Sequence, residues 1–122
     1  FSECLAEELR EFNVDVNCIA PGALNTRILD EAIIDGVEKV GKEYYEKALK
    51  QKENGGDSLK IGAELCAFIA SEKCDGITGK LISAKWDDWR ELPIHKQELN
   101  KSDIYTLRRI LPYNVNPYWM EK

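Results

Sequence analysis

The chain has 122 residues, which is enough for one domain with a modest core. Its 43% apolar and 32% charged residues are typical of a globular protein, and its net charge of −5 argues against a nucleic-acid partner, which would require a basic face. No apolar run approaches the length that crosses a bilayer, so we expect no membrane segment.

The first predicted element is an amphipathic helix that ends at Asn13. Its apolar residues follow helical spacing: Phe1, Cys4, Leu5, Leu9 and Phe12. No capping residue precedes Phe1, so we expect the chain to begin inside this helix, with earlier residues of the protein missing.

A strand from Val14 to Ala20 comes next and stops at Pro21-Gly22. Its second half is apolar on both faces, as in a parallel strand that helices cover on both sides. In an open parallel sheet, ligands bind just beyond the carboxyl ends of the strands. The Pro-Gly turn and the small polar residues behind it therefore predict one wall of a ligand site.

Three helices are predicted after this turn. Two are short, at residues 27–35 and 42–52, with Asn25 or Thr26 as the first cap. The third begins at Asp57 or Ser58 and runs to about Ser71. Its segment Leu65–Ala70 is apolar around the whole circumference and so needs cover on every side.

A second buried strand is predicted at Lys80–Ala84, and the composition changes after it. Asp87 and Asp88 predict a solvated turn between tryptophans that pack. Ser102 or Asp103 is expected to begin a short helix that ends at Pro112, before an extended tail. The order helix, strand, helices, strand indicates an α/β protein with a parallel sheet and right-handed crossovers. Two strands do not make a stable sheet alone, so further strands are expected from elsewhere.

The four cysteines show no metal-binding or redox spacing, and each lies in or beside an apolar segment: Cys4, Cys18, Cys66 and Cys74. We interpret them as buried, reduced thiols, which predicts a cytoplasmic protein. The single histidine, His95, has no second ligand near it in the sequence, so no metal site is expected.

Five pieces of the chain follow one another in a distinctive order: Leu5–Leu9, Val16–Gly22, Thr26, Ala67–Ser71 and Gly76–Ile82. Together they resemble the carboxyl-terminal half of a short-chain dehydrogenase/reductase, a single-domain Rossmann enzyme. The resemblance implies a doubly wound parallel sheet of which only the last two strands and their helices are present. It covers residues 1–84, and residues 85–122 are expected to form a carboxyl-terminal extension.

The resemblance also implies an NAD- or NADP-dependent oxidoreductase acting on a small-molecule carbonyl or alcohol. The family's catalytic Tyr-x-x-x-Lys pair, its serine and its glycine-rich turn would lie upstream, so no catalytic residue is assigned and the chain alone is expected to be inactive. The match at Tyr118–Lys122 lies at the very end and is not expected to be catalytic.

Implied cofactor-binding residues are Pro21, Gly22, Leu24 and Thr26. Pro21 and Gly22 shape the turn, the Leu24 amide and the Thr26 hydroxyl reach the carboxamide, and Thr26 as a plain helix cap is the alternative. Residues 27–56 are expected to include the substrate lid, with Ile28, Leu29 and Ile33 facing substrate, although ordinary core packing explains these residues equally well.

A homo-oligomer, dimer or tetramer, is expected to form through the Leu65–Ala70 helix and the Leu81 strand, where subunits of the family meet. The alternative function is a non-catalytic association module that uses the same Rossmann-like half-fold.

Overall fold

A computed structural model describes residues 1–109 of the chain. Its helices and strands, in chain order, are α1 (Ser2–Leu9), β1 (Cys18–Ala20), α2 (Arg27–Val40), α3 (Lys42–Asn54), α4 (Leu59–Ile69), β2 (Leu81–Ser83) and α5 (Lys96–Asn100). Among these helices, none combines the length and the apolar character of a bilayer-spanning segment.

The two strands pair in parallel, with Ile19 opposite Ile82 in the register. This confirms the prediction that both belong to one parallel sheet, and the architecture is α/β. Each strand has only three residues, fewer than predicted. Val16, which precedes β1, forms hydrogen bonds with residues that precede β2 rather than with β2 itself. The Val16 amide donates to Thr78 Oγ1 at 2.9 Å, and the Gly79 amide donates to the Val16 carbonyl at 2.8 Å.

Local chemistry confirms several predicted helix boundaries, but α2 resumes after Gly36 and runs to Val40 rather than ending at residue 35. Asn13 adopts a left-handed conformation with φ of 55° and ends the first helical region. Gly36 interrupts α2, with φ of 75°, and Gly55 ends α3, with φ of 90°. Ser58 caps α4, since its hydroxyl oxygen accepts a hydrogen bond from the Lys60 amide at 3.2 Å.

The main core lies between α4, β2 and the segment that follows β2. It contains Leu65, Cys74, Ile77, Ile82, Ala84, Trp89, Leu92 and Leu99. The rings of Phe68 and Trp89 meet at a centroid distance of 5.3 Å, and the Trp89 indole donates to the Ala84 carbonyl at 3.1 Å. Residues 89–99 of the expected extension therefore pack on the same core as the strands.

One prediction about the segment after β2 is wrong within the described residues. No helix begins at Ser102 or Asp103: residues 101–109 form turns, and a short helix that the sequence does not indicate, α5, lies just before them. The apolar spacing from Ile104 onward predicts a helix, but the carbonyls of Ser102 and Ile104 accept hydrogen bonds from Lys80 Nζ instead. The remainder of that predicted helix, at Ile110, Leu111 and Pro112, lies outside the described residues, as does Tyr118–Lys122.

The cysteines are free thiols, but the prediction that all four are buried is wrong. Cys74 is buried in the core, where loss of hydration raises the pKa of its thiol. Cys18 is half-buried, while Cys4 and Cys66 are exposed. Apolar neighbours in sequence therefore do not by themselves place a helical residue in the core.

Candidate functional site

The loop Pro21–Thr26 lies directly beyond the carboxyl end of β1, and because the strands are parallel it shares this edge of the sheet with the end of β2. All four residues predicted to bind cofactor belong to this loop. Pro21, Gly22 and Thr26 are exposed, and Leu24 is half-buried. The fold therefore brings them together on an accessible surface of the kind on which α/β sheets bind ligands.

The turn at Ala23 is held by Asp57, the residue that precedes the cap of α4. The Ala23 amide donates to Asp57 Oδ2 at 2.8 Å, and the Asp57 amide donates to the Ala23 carbonyl at 2.8 Å. The two hydrogen bonds fix both sides of one residue, so this exposed loop has a defined backbone.

Two glycines allow this close approach. Gly22 has φ of +102°, and a Cβ there would lie 2.7 Å from Asp57 Oδ2. Gly56 has φ of +66°, and its Cβ would lie 2.8 Å from the Ala23 carbonyl oxygen. Both the left-handed backbone and the short distances exclude a side chain without rearrangement.

The next part of the loop is held from α3. Gln51 Nε2 donates to the Leu24 carbonyl at 3.0 Å and to Asn25 Oδ1 at 3.3 Å. The Leu24 amide donates to the Gly22 carbonyl at 3.1 Å, within a three-residue turn. A ligand acceptor that reaches the Leu24 amide has to replace or share this bond.

Thr26 occupies the N-cap position of α2, as one of the two predicted caps. Its carbonyl accepts hydrogen bonds from the Leu29 and Asp30 amides, at 3.0 and 3.2 Å. Within the described residues, its hydroxyl makes no capping bond to the helix amides. The hydroxyl can therefore serve an exposed ligand as donor or acceptor.

Asp57 also contacts the segment that follows β2. Lys85 Nζ lies 2.6 Å from Asp57 Oδ1 and 4.9 Å from the centre of the Trp86 ring, which is 80% exposed. The hydrogen bond from Lys85 and that from the Ala23 amide hold the pKa of the Asp57 carboxyl below its usual range. The carboxylate is thus ionised and its charge is balanced by one cation.

The residues predicted to form the lid separate into different environments. Leu29 is buried, together with Ala32 of the same helix and Ala48 of α3, and α2 packs against α3. Ile33 is half-buried, and Ile28 is 72% exposed. Leu29 therefore contributes to packing of the helix pair, while Ile28 is accessible to a ligand at the end of α2 nearest the loop.

The amino ends of the strands form a different, closed polar network. Asn17 Nδ2 donates to the Ile77 carbonyl at 2.7 Å, and the Lys80 amide donates to Asn17 Oδ1 at 3.0 Å. Lys80 Nζ donates to the carbonyls of Leu99, Ser102 and Ile104 at 2.6, 3.2 and 3.0 Å. Burial lowers the pKa of the Lys80 ammonium. A cavity of about 330 Å³ next to Lys80 opens on this side of the sheet, away from the Pro21–Thr26 loop.

The remaining chemistry-bearing residues do not converge on a site. Asp87 Oδ2 accepts from the Ser83 amide at 2.6 Å in the turn after β2, and His95 is exposed beside Glu98. Among residues 1–109, no group of three or more potential metal ligands is close enough to hold an ion.

Sequence reasoning missed the three side chains that hold the loop, Gln51, Asp57 and Lys85. The sequence predicts Asp57 only as a cap for α4, a role that Ser58 takes. The sequence signal that was available is the Gly55-Gly56-Asp57 run, in which a carboxylate follows residues that permit close backbone approach.

Residues 1–84 match the family model described as enoyl-(acyl carrier protein) reductase. The NADPH-dependent reductase BacG of Bacillus subtilis is 33% identical over 88 residues, which cover 68% of this chain and 34% of that protein. Nodulation protein G of a Rhizobium species is 32% identical over 82 residues, 67% of this chain and 31% of that protein. The 3-ketodihydrosphingosine reductase of Bacteroides thetaiotaomicron is 26% identical over 120 residues, 88% of this chain and 44% of that protein. No solved structure matches the chain significantly.

The fold and the loop define an α/β chain with a parallel strand pair and an accessible loop at the carboxyl end of β1. By its family match, which covers more than half of its residues, the chain belongs to the short-chain dehydrogenase/reductase family. It spans about a third of the length of the first two curated relatives and less than half of the third.

Proposed function

We propose that this chain is the carboxyl-terminal part of an NAD(P)-dependent oxidoreductase and supplies the nicotinamide-facing wall of its cofactor site. The observation that carries the proposal is the Pro21–Thr26 loop, an accessible turn at the carboxyl end of a parallel strand, in a chain of this family. The substrate is a small carbonyl or alcohol compound.

The residues present fit a carboxamide-bearing ring. A carboxamide offers two N–H donors and one carbonyl acceptor, so it needs partners of both kinds. Thr26 Oγ1 accepts or donates at one end of the loop, and the Leu24 amide donates once its bond to the Gly22 carbonyl is replaced. Pro21 and Gly22 leave this surface free of bulky side chains.

When bound, a nicotinamide supplies the hydride that is exchanged with the carbonyl or alcohol carbon of the substrate. The role of this chain is to bind and orient the ring, with the accessible Ile28 beside it on the lid side. The acid–base residues are proposed to lie upstream, so the chain on its own binds cofactor weakly and does not turn over substrate.

An exposed apolar surface supports the view that further chain covers the α1 side of the sheet. A cavity of about 370 Å³ there is lined mainly by apolar groups, including Phe1, Cys4, Cys18, Leu81 and Leu107. Phe1 is 96% exposed and Leu81 is 38% exposed. Exposed apolar residues that cluster in one place favour contact with another protein segment.

The test compares Thr26→Val with Thr26→Ser in the protein expressed from its complete reading frame, using NADH and NADPH fluorescence titrations. Loss of one hydrogen bond by Thr26→Val should weaken dinucleotide binding about fivefold, whereas Thr26→Ser retains the hydroxyl and should bind as the wild type does. Equal dinucleotide affinity of the two variants would show that the Thr26 hydroxyl does not contribute to cofactor binding. Failure of the wild type to bind either dinucleotide would overturn the proposed function.

A second candidate is a non-catalytic association module, favoured by the apolar residues that α4 exposes. Leu59 is 67% exposed and Ile61 41% exposed, and Cys66 and Ala67 are accessible within the segment predicted to meet another subunit. Sedimentation of the protein should show a dimer or tetramer in either case, and Ile61→Glu should shift it toward the monomer. Association without dinucleotide binding would favour the module, and a monomeric wild type would exclude it.

A further inference from the structure

We propose that Asp57, with its charge balanced by Lys85, is the positioning residue for the turn that presents the cofactor-binding amide and hydroxyl. This inference rests on the proposed function, since it assigns the group that holds that site in shape. Asp57 itself is not proposed to touch the cofactor.

The first support is the geometry around Ala23. The Asp57 carboxylate accepts a hydrogen bond from the Ala23 amide, and the Asp57 backbone amide donates one to the Ala23 carbonyl, each at 2.8 Å. Ala23 lies between Gly22 and Leu24, so these bonds define where the Leu24 amide points. The same turn would otherwise be loose, because Gly22 has a large range of accessible backbone conformations.

The second support is the fit between Asp57 and the two glycines. A Cβ added to Gly22 would lie 2.7 Å from Asp57 Oδ2, and a Cβ added to Gly56, the residue before Asp57, would lie 2.8 Å from the Ala23 carbonyl oxygen. The turn and the carboxylate are thus complementary in shape as well as in hydrogen bonding.

The third support is the link to β2. Lys85 follows the carboxyl end of β2 by two residues and pairs with Asp57 Oδ1 at 2.6 Å, while Asp57 Oδ2 is used by Ala23. The exposed Trp86 ring flanks the ammonium. One carboxylate therefore connects the ends of both strands across the edge where the cofactor is proposed to bind.

The fourth support is that α4 does not need the Asp57 carboxylate as its cap. Ser58 caps α4. The contacts made by the Asp57 side chain go to Ala23 and Lys85. The Asp57 side chain therefore stabilises the Pro21–Thr26 loop and not the helix that follows it in sequence.

The experiment uses the protein from its complete reading frame and the variants Asp57→Ala and Asp57→Asn. The matched control is Glu64→Gln, which removes an exposed carboxylate that pairs with Arg90 at 3.0 Å and so also joins α4 to the segment after β2, but without contact to the loop. Two quantities are measured: the hydrogen-exchange rate of the Ala23 amide and the dissociation constants for NADH and NADPH.

For Asp57→Ala we expect the Ala23 amide to exchange about tenfold faster and the dinucleotide to bind about tenfold more weakly, as for loss of a charge-assisted hydrogen bond. Asp57→Asn retains an oxygen acceptor for Ala23 and should give a smaller change in both, on the order of threefold. Once a substrate is known, KM for cofactor should rise while KM for substrate stays the same. A general loss of folding would instead raise the exchange rates of amides throughout the fold, and not that of Ala23 alone.

The control Glu64→Gln should leave both quantities unchanged. Exchange at Ala23 that does not change in Asp57→Ala, or dinucleotide affinity that does not change, would overturn the positioning role even where the wild type binds cofactor. A wild type that binds neither dinucleotide overturns the proposed function itself, so the two failures are distinguishable.

Discussion

At the amino end of the two strands, polar side chains are buried and bonded to backbone, whereas at the carboxyl end they lie at the surface and hold a loop. Thr78 and Lys80 are 6% and 5% exposed, and Lys80 serves three carbonyls. At the other end, Asp57 and Lys85 hold a turn that keeps Thr26 accessible. The polar groups at the amino end are bonded within the fold, whereas those at the carboxyl end leave Thr26 accessible at the edge where α/β sheets commonly bind ligands.

The largest effect should come from Lys80→Met, at the buried end. Three backbone carbonyls lose a charged donor, and the bond to the Leu99 carbonyl is buried, so the free energy of unfolding should fall by about 2–4 kcal/mol. Urea denaturation should show a lower midpoint with an unchanged slope. The exposed Lys73→Met is the control, and a similar small change in both variants would contradict the stabilising role of Lys80.

Asn17→Ala should have the next largest effect. Its side chain bonds the Ile77 carbonyl and the Lys80 amide, so removal leaves one acceptor and one donor without a partner, at a cost of about 1–3 kcal/mol. The same urea measurement applies. An effect no greater than that of an exposed asparagine such as Asn54→Ala would refute the role of Asn17 as an anchor for neighbouring backbone.

At the carboxyl end, Gly22→Ala should cost about 1–2 kcal/mol, because a left-handed backbone and a close carboxylate both oppose the methyl group. Gly41→Ala separates the two causes, since Gly41 also has positive φ, of +82°, but a methyl group added there would have nothing within 4 Å. Equal destabilisation of both variants, by thermal or urea unfolding, would show that contact with Asp57 contributes nothing.

The smallest effect is a dependence of stability on pH below about 5. The pKa of the Asp57 carboxyl is lowered chiefly by Lys85, and that of Glu3 chiefly by the Leu107 amide. A carboxyl with a lower pKa in the folded state stabilises the fold above its unfolded pKa of roughly 4, and this contribution is lost as the pH falls through the folded pKa. Asp57→Asn should therefore make the loss of stability between about pH 5 and 3 shallower. An identical pH profile for the variant and the wild type would contradict this.

The sequence alone determined the α/β class, the parallel pairing of the strands and the family, because these follow from local apolar patterns and short motifs. It also placed the helix stop at Asn13 and limited the cap of α4 to Asp57 or Ser58, because such effects act over a few residues. The segments that resemble the family lie within residues 5–82, where the predicted order of helices and strands matches the observed order.

Tertiary structure decided which side chains hold the loop and which apolar residues are buried. Asp57 accepts a hydrogen bond from Ala23, which lies 34 residues earlier in the chain. Lys80 Nζ donates to the carbonyl of Ile104, in a segment whose apolar spacing predicts a helix. Leu29 and Ile28 are neighbours in sequence, yet one packs against α3 and the other faces outward. Such outcomes depend on which surfaces meet after the chain has crossed over between the strands, and the spacing of apolar residues along the chain does not determine this.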